Sequence, residues 1–139
     1  PYITQTAVGK REKVSVFGDN YDTADGTGVR DYIHVVDLAR GHVAAIDHSH
    51  PGVATYNLGT GKGTSVLELI TAFGKAAGKE IPYQIVDRRP GDIASCYASP
   101  EKAARELDWK ATKTIDDACA DSWRWQSQNP DGYNNEHHF

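Results

Sequence analysis

The sequence predicts a mixed α/β (α+β) fold, with short strands packed against about four helices. Three observations lead there. Runs rich in β-branched and aromatic residues alternate with segments whose apolar residues recur at helical spacing. Residues able to cap a helix stand at Asp37, Ser65, Ser99 and Thr114, just ahead of those segments. Glycine and proline mark most of the boundaries between the two kinds of run. Such alternation argues for α/β or α+β architecture and against a sandwich.

In chain order, residues 1–10 read as the tail of a helix stopped at Gly9. Residues 14–17 read as a strand, with Val14 and Val16 on one face and Ser15 and Phe17 on the other. Residues 18–28 form a polar loop. Residues 29–36 return to strand chemistry through Tyr32, Ile33, Val35 and Val36. Asp37 caps a helix carrying Leu38, His42, Ala45 and Ile46, which ends in a turn at 49–52. Residues 54–58 read as a strand and 59–63 as a glycine turn. Ser65 and Glu68 stand at capping-box spacing before an apolar stripe of Val66, Leu69, Ile70, Phe73 and Ala77, and Gly78 ends that helix. Residues 81–87 read as a strand and 90–92 as a turn. Ser99 caps a helix with Pro100 at its first position, closed by Leu107 and Trp109. Thr114 with Asp117 starts the last helix, whose stripe runs through Ile115, Ala118, Cys119, Ser122, Trp123 and Trp125. Residues 1–133 are expected to be the folded unit and 134–139 a tail.

The 139 residues carry 15 basic and 19 acidic side chains, a formal net charge of −4. That balance speaks against a nucleic-acid partner, since nucleic-acid binders are usually basic. No run of apolar residues is long enough for a membrane span, and no secretion signal is visible. There is room for one domain with a core and hardly for two. The apolar share falls slightly below the ordinary globular range of about 45–50%. The chain opens on Pro1 and contains no methionine. It is therefore expected to be a product of processing or a piece of something larger. Cys96 and Cys119 have no zinc or redox spacing and are expected to be free thiols in a reducing cytoplasm.

Gly59, Gly61 and Gly63 lie between a strand and a helix, where phosphate cradles occur. The third glycine of the dinucleotide pattern is missing, and Lys62 precedes glycine, so it is no Walker lysine. The turn either serves a positive φ or passes close to a ligand. The histidines His48, His50, His137 and His138 pair with no carboxylate or cysteine at ligand spacing, so no metal is expected. No serine sits in a nucleophile elbow, and Cys96 has no neighbour that would activate its thiol. Arg30 and the pair Arg88–Arg89 are more informative. A guanidinium can give two parallel hydrogen bonds and so suits a diphosphate. Adjacent side chains on an extended chain face opposite ways, so one of Arg88 and Arg89 at most faces a given ligand. From composition alone, all three read as solvated surface arginines.

Longer stretches carry a resemblance. Gly26-Thr-Gly-Val-Arg-Asp-Tyr-Ile-His-Val-Val-Asp-Leu-Ala39 resembles the carboxy-terminal signature of the UDP-glucose 4-epimerases, in the extended short-chain dehydrogenase/reductase superfamily. Val16-Phe-Gly-Asp-Asn-Tyr21 precedes it. Tyr56-Asn-Leu-Gly-Thr-Gly61, Arg88-Arg-Pro-Gly-Asp92, Arg105-Glu-Leu-Asp-Trp109 and Trp123-Arg-Trp-Gln126 follow in that family's order, so the likeness spans nearly the whole chain.

The resemblance implies an NAD-dependent isomerase that interconverts UDP-glucose and UDP-galactose in galactose metabolism. It implies a cytoplasmic, homodimeric parent whose NAD sits in an amino-terminal Rossmann half. In that family a tyrosine four residues before a lysine moves the proton, and Tyr-x-x-x-Lys occurs nowhere here. The chain is thus expected to be the substrate-binding half, inactive alone. By the same resemblance, backbone groups of Ser15 and Phe17 meet the uracil, and Val66 packs beside the uridine. Arg30 and Arg89 clamp the diphosphate, and Asp92 accepts from the ribose hydroxyls. The glycine turn shapes the site without touching phosphate. Cys96 lines the sugar pocket, where its small size leaves room for N-acetylated sugars. A stand-alone nucleotide-sugar binding module, or half of a related dehydratase or decarboxylase, remain the alternatives.

Overall fold

The computed structural model describes residues 1–133; the expected tail, with His137 and His138, lies outside the described residues. Ten elements follow one another: α1 (Tyr2–Ala7), β1 (Val14–Phe17), β2 (Val29–Arg30), α2 (Val35–Asp47), β3 (Thr64–Ser65), α3 (Val66–Ala77), β4 (Tyr83–Val86), β5 (Ser95–Cys96), α4 (Glu101–Glu106) and α5 (Ile115–Gln128). β1 pairs with β4 in parallel, Val14 opposite Tyr83 and Phe17 opposite Val86. β2 is the middle strand of a second small sheet, antiparallel to β3 and parallel to β5.

Two apolar cores hold these pieces. In the first, Ala7 of α1, Val14 and Val16 of β1, Ile70 and Phe73 of α3 and Cys119 of α5 are buried together. Trp123 meets Phe73 edge-on, ring centres 6.3 Å apart, an arrangement worth about 1 kcal/mol beyond the area buried. In the second, Ala103, Leu107 and Trp109 are buried against Ile33, Tyr56 and Leu58. Among the described residues, no helix is long and apolar enough to cross a membrane.

α3 and α5 start where their caps are written. Ser65 Oγ accepts from the Glu68 N–H at 3.0 Å, and the Glu68 carboxylate accepts from the Ser65 N–H at 2.7 Å. Thr114 and Asp117 repeat the box. Gly78 closes α3 in the left-handed conformation. Along α5, Trp125 is turned away from the apolar face and is about half exposed. It follows Trp123 by two residues, about 200° around a helix, so the two cannot share a face.

Elsewhere the structure corrects the sequence. Only Val29–Arg30 of the expected strand at 29–36 is paired, and α2 already begins at Val35. Its cap is His34, whose Nδ1 accepts from the Val36 N–H at 3.0 Å. Because Nδ1 accepts, the ring proton sits on Nε2, which faces the Asp121 carboxylate at 3.1 Å. Asp37 lies in the first turn of α2 instead, fully buried. Residues 54–58 join no ladder. Their side chains suit a strand, but no described strand lies beside them, and the Thr55 carbonyl accepts from Lys102 Nζ at 3.0 Å. The strand at 81–87 narrows to Tyr83–Val86. Pro100, not Ser99, occupies the cap position of α4, and the Ser99 hydroxyl donates to the Glu101 carboxylate. α1 ends at Ala7, before Gly9. The short strand β5 was not expected.

Candidate functional site

β4 occupies one side of β1 only. The Val14 N–H donates to the Pro82 carbonyl and the Gly18 N–H to the Val86 carbonyl, both at 2.9 Å. Backbone groups of successive strand residues point to opposite sides. Those of Ser15 and Phe17 therefore point away from β4, along a free edge. Beside that edge lies a cleft of about 110 Å³. Ser15, Phe17, Arg30, Val66, Arg89 and Asp92 all line it. Small-molecule sites usually enclose at least about 300 Å³, so this cleft has room for only part of a nucleotide-sized ligand.

The adjacent arginines diverge. The Arg89 guanidinium lies 4.5 Å from the centre of the Phe17 ring, and its Nε donates to Asp92 Oδ2 at 2.9 Å. Arg88 turns to the other side, onto Asn20 and Tyr21. Arg30 enters from β2, with Nη1 donating to the Val29 carbonyl at 2.7 Å. A guanidinium has five N–H donors, and these contacts engage few of them. The fold thus brings Arg30 and Arg89 to one cleft, although they are far apart in sequence. Asp92 keeps its second oxygen outside the Arg89 contact.

Two tyrosines that sequence reasoning passed over also line the cleft. Burial pushes the Tyr32 phenol above its ordinary pKa, against the opposing charge of Arg30, so it stays a neutral donor. Its place two residues beyond Arg30, on the same side of an extended segment, was the signal available. Tyr21 is nearly buried, and its hydroxyl has no hydrogen-bond partner among the described residues. Cys96 is not in the cleft lining. It is exposed on β5, opposite Arg30 in the ladder.

The glycine turn at 59–63 binds an anion belonging to the protein itself. The N–H groups of Thr60 and Gly61, each at 3.0 Å, and the Thr60 hydroxyl at 2.6 Å all donate to the Asp31 carboxylate. Ala98 N–H adds a fourth bond at 3.2 Å. The carboxylate sits where a phosphate would sit in a nest of this kind. Gly61 has φ +73°, and a Cβ on Gly59 would lie 2.6 Å from Asp31 Oδ2. Burial pushes the Asp31 pKa up, but the bonds from Thr60, Gly61 and Ala98 outweigh it and hold the group below the usual range.

Two more aspartates act alike. Asp25 accepts from the Thr27 N–H at 2.9 Å, the Thr27 hydroxyl at 2.7 Å and the Ser65 hydroxyl. Asp37 accepts from the N–H groups of Thr112 at 2.9 Å and Lys113 at 2.7 Å. In both, burial is opposed and outweighed by these bonds, so the pKa is lowered. The acids in and beside the signature therefore tie loops together. Among the described residues, no group of three or more His, Cys, Asp or Glu is placed to hold a metal ion.

Residues 1–122 match the sequence family described as GDP-mannose 4,6 dehydratase. The chain is 62% identical over 135 residues to the UDP-glucose 4-epimerase of Bacillus subtilis (strain 168), covering 96% of this chain and 40% of that protein. It is 60% identical over 136 residues to the UDP-glucose 4-epimerase of Dictyostelium discoideum, with the same coverage of 96% and 40%. The crystal structure of UDP-glucose 4-epimerase from Bifidobacterium longum in complex with NAD⁺ and UDP superimposes with a TM-score of 0.93 at 63% identity, over 96% of this chain and 40% of that one. The chain therefore spans about 40% of the length of these relatives. The family match runs from α1 into α5, and by it the chain belongs to the GDP-mannose 4,6-dehydratase family, with a sequence and fold like those of UDP-glucose 4-epimerases.

Proposed function

We propose that residues 1–133 form the UDP-sugar-binding part of an NAD-dependent UDP-glucose 4-epimerase, an isomerase of galactose metabolism that interconverts UDP-glucose and UDP-galactose. The observation that carries this reading is the convergence of Arg30 and Arg89 on a cleft beside the free edge of β1. The likeness to a protein that holds UDP together with NAD⁺ supports it.

On this reading the chain works by position. Backbone groups of Ser15 and Phe17 offer a strand-like edge to the uracil. Val66 packs against the nucleoside, and the second oxygen of Asp92 accepts from the ribose hydroxyls. Arg30 and Arg89 hold the diphosphate from two sides. Binding energy spent on UDP keeps the nucleotide still while the sugar turns over. NAD supplies the hydride acceptor and donor at the sugar C4. The amides of this chain's glycine turn are bonded to Asp31, which favours assigning the cofactor to the portion of the parent beyond this chain. That portion also supplies the proton-transfer residues, and the chain alone is inactive. Cys96 marks the sugar end, where its small side chain lets N-acetylated UDP-sugars enter as well. The parent is a homodimer, and unpaired thiols suit a reducing cytoplasm.

Calorimetric titration of the full-length protein with UDP tests the clamp. Arg30→Ala and Arg89→Ala should each weaken binding by about 10- to 100-fold, the range for hydrogen bonds to charged groups. Unchanged affinity in both variants rejects it. The description of the matched family favours a second reading, a nucleotide-sugar dehydratase. Products formed from UDP-glucose separate the two: UDP-galactose supports the epimerase, and an accumulating 4-keto-6-deoxy sugar supports the dehydratase.

A further inference from the structure

We infer that Arg88 is a positioning residue of the nucleotide site, acting through Tyr21 and Arg89 without touching the ligand; this rests on the nucleotide reading above. β1 and β4 end side by side, and the Gly18 N–H to Val86 carbonyl bond closes their last rung, the Phe17–Val86 pair. Past that rung, Arg88 ties the two exits together. Its Nε donates to Asn20 Oδ1 at 2.7 Å, and its Nη2 donates to the Asn20 backbone carbonyl. The guanidinium carbon lies 3.9 Å from the centre of the Tyr21 ring.

The backbone is shaped to allow this. Gly18 has φ +91°, and a Cβ there would lie 2.6 Å from Arg88 Cγ and 3.0 Å from Tyr21 Cε2. The arginine stem fills the space a side chain at position 18 would need. Tyr21, 8% exposed, is part of the cleft wall. Arg88 lies on its ring, while Arg89 covers the Phe17 ring inside the cleft. The neighbouring arginines thus grip the segment leaving β1 through one aromatic ring each. Arginine can stack and fork in one pose, and lysine cannot. A surface arginine with no such task would leave nucleotide binding alone.

The test uses full-length protein, UDP calorimetry and steady-state kinetics. Arg88→Ala should lower UDP affinity about tenfold and raise KM, with kcat within about twofold. Arg88→Lys should recover little of the loss. Asn20→Ala, which removes the side-chain anchor from the other end, should reproduce part of it. Added to Arg89→Ala, Arg88→Ala should cost clearly less than its roughly tenfold effect in the wild-type background, because one of the two groups it positions is gone. A loss that only reflects weakened folding would recur in full in the Arg89→Ala background, and that result overturns the inference. So does unchanged affinity in Arg88→Ala while Arg89→Ala binds weakly. Wild-type affinity in Arg89→Ala instead removes the nucleotide reading, and this inference with it.

Discussion

A carboxylate out of reach of water must be matched bond for bond, and Asp37 meets that demand with two loop amides and the Thr112 hydroxyl. An asparagine there could keep an oxygen on the two amides, which share Oδ2. It would lose the charge that strengthens both bonds and turn its amino group toward the Thr112 hydroxyl and the Arg40 guanidinium. Asp37→Asn should therefore cost about 2–4 kcal/mol, read by urea denaturation. Asp25, Asp31 and Asp37 all have lowered pKa values in the folded protein. The unfolded chain takes up these protons more readily, so their stabilisation is complete above the unfolded pKa of about 4 and is lost as pH falls through it toward the folded values. The urea midpoint should drop on acidification from about pH 5 to 3, and less steeply in Asp37→Asn. A midpoint that stays level would contradict this assignment. The cysteines differ in the same residue-scale way. Burial, aided by Asp116, pushes the Cys119 thiol up to about 11, while Cys96 is exposed. Alkylation near neutral pH, followed by peptide mass analysis, should modify Cys96 and spare Cys119 until the protein unfolds.

Elements whose cause lies within a few residues could be read directly from the sequence. α3 and α5 announce themselves by side chains three apart, and β1 by its alternation. Most of the failures involve partners distant in sequence, although Ser99, bonded to Glu101 two residues on, and Trp125, two residues past Trp123, are local ones. Residues 54–58 have strand side chains but no described strand beside them. Asp37 has the chemistry of a cap, yet loop amides at 112 and 113 claim it, and His34 caps α2 instead. β5 is two residues long and exists only through β2. The cleft follows the same logic. Alternation separates Arg88 from Arg89, but no local pattern brings Arg30 to Arg89, and Tyr21 enters the wall only because Gly18 lets the chain turn. Cap strengths give a test at this scale. Ser65 also donates to Asp25, whereas Thr114 bonds within its own box. Ser65→Ala should lower stability by about 2 kcal/mol and Thr114→Ala by about 1 kcal/mol in thermal or urea unfolding. Equal losses would show that the Asp25 bond contributes nothing.

Across the whole molecule, apolar surface remains uncovered among the described residues. A groove of about 390 Å³ opens between α1, α3 and α5, lined by Ile3, Leu69, Phe73 and Ile115 among others. α2 exposes Val35, Val43 and Ile46 on its outer side. Surfaces of this kind associate. The chain expressed alone should sediment as more than a monomer and bind a hydrophobic dye; expressed with the rest of the proposed parent, it should lose both properties. A dye-silent monomer would argue against this. The groove and the cleft beside β1 also share a wall, since Ser15, Phe17, Tyr32, Val66 and Arg89 line both. On the proposed reading, whatever seats in the groove rests on residues that the nucleotide would also use. In the proposed parent the two events are then thermodynamically linked. UDP must change the union of the two portions by the same factor, and in the same direction, as their union changes the hold on UDP.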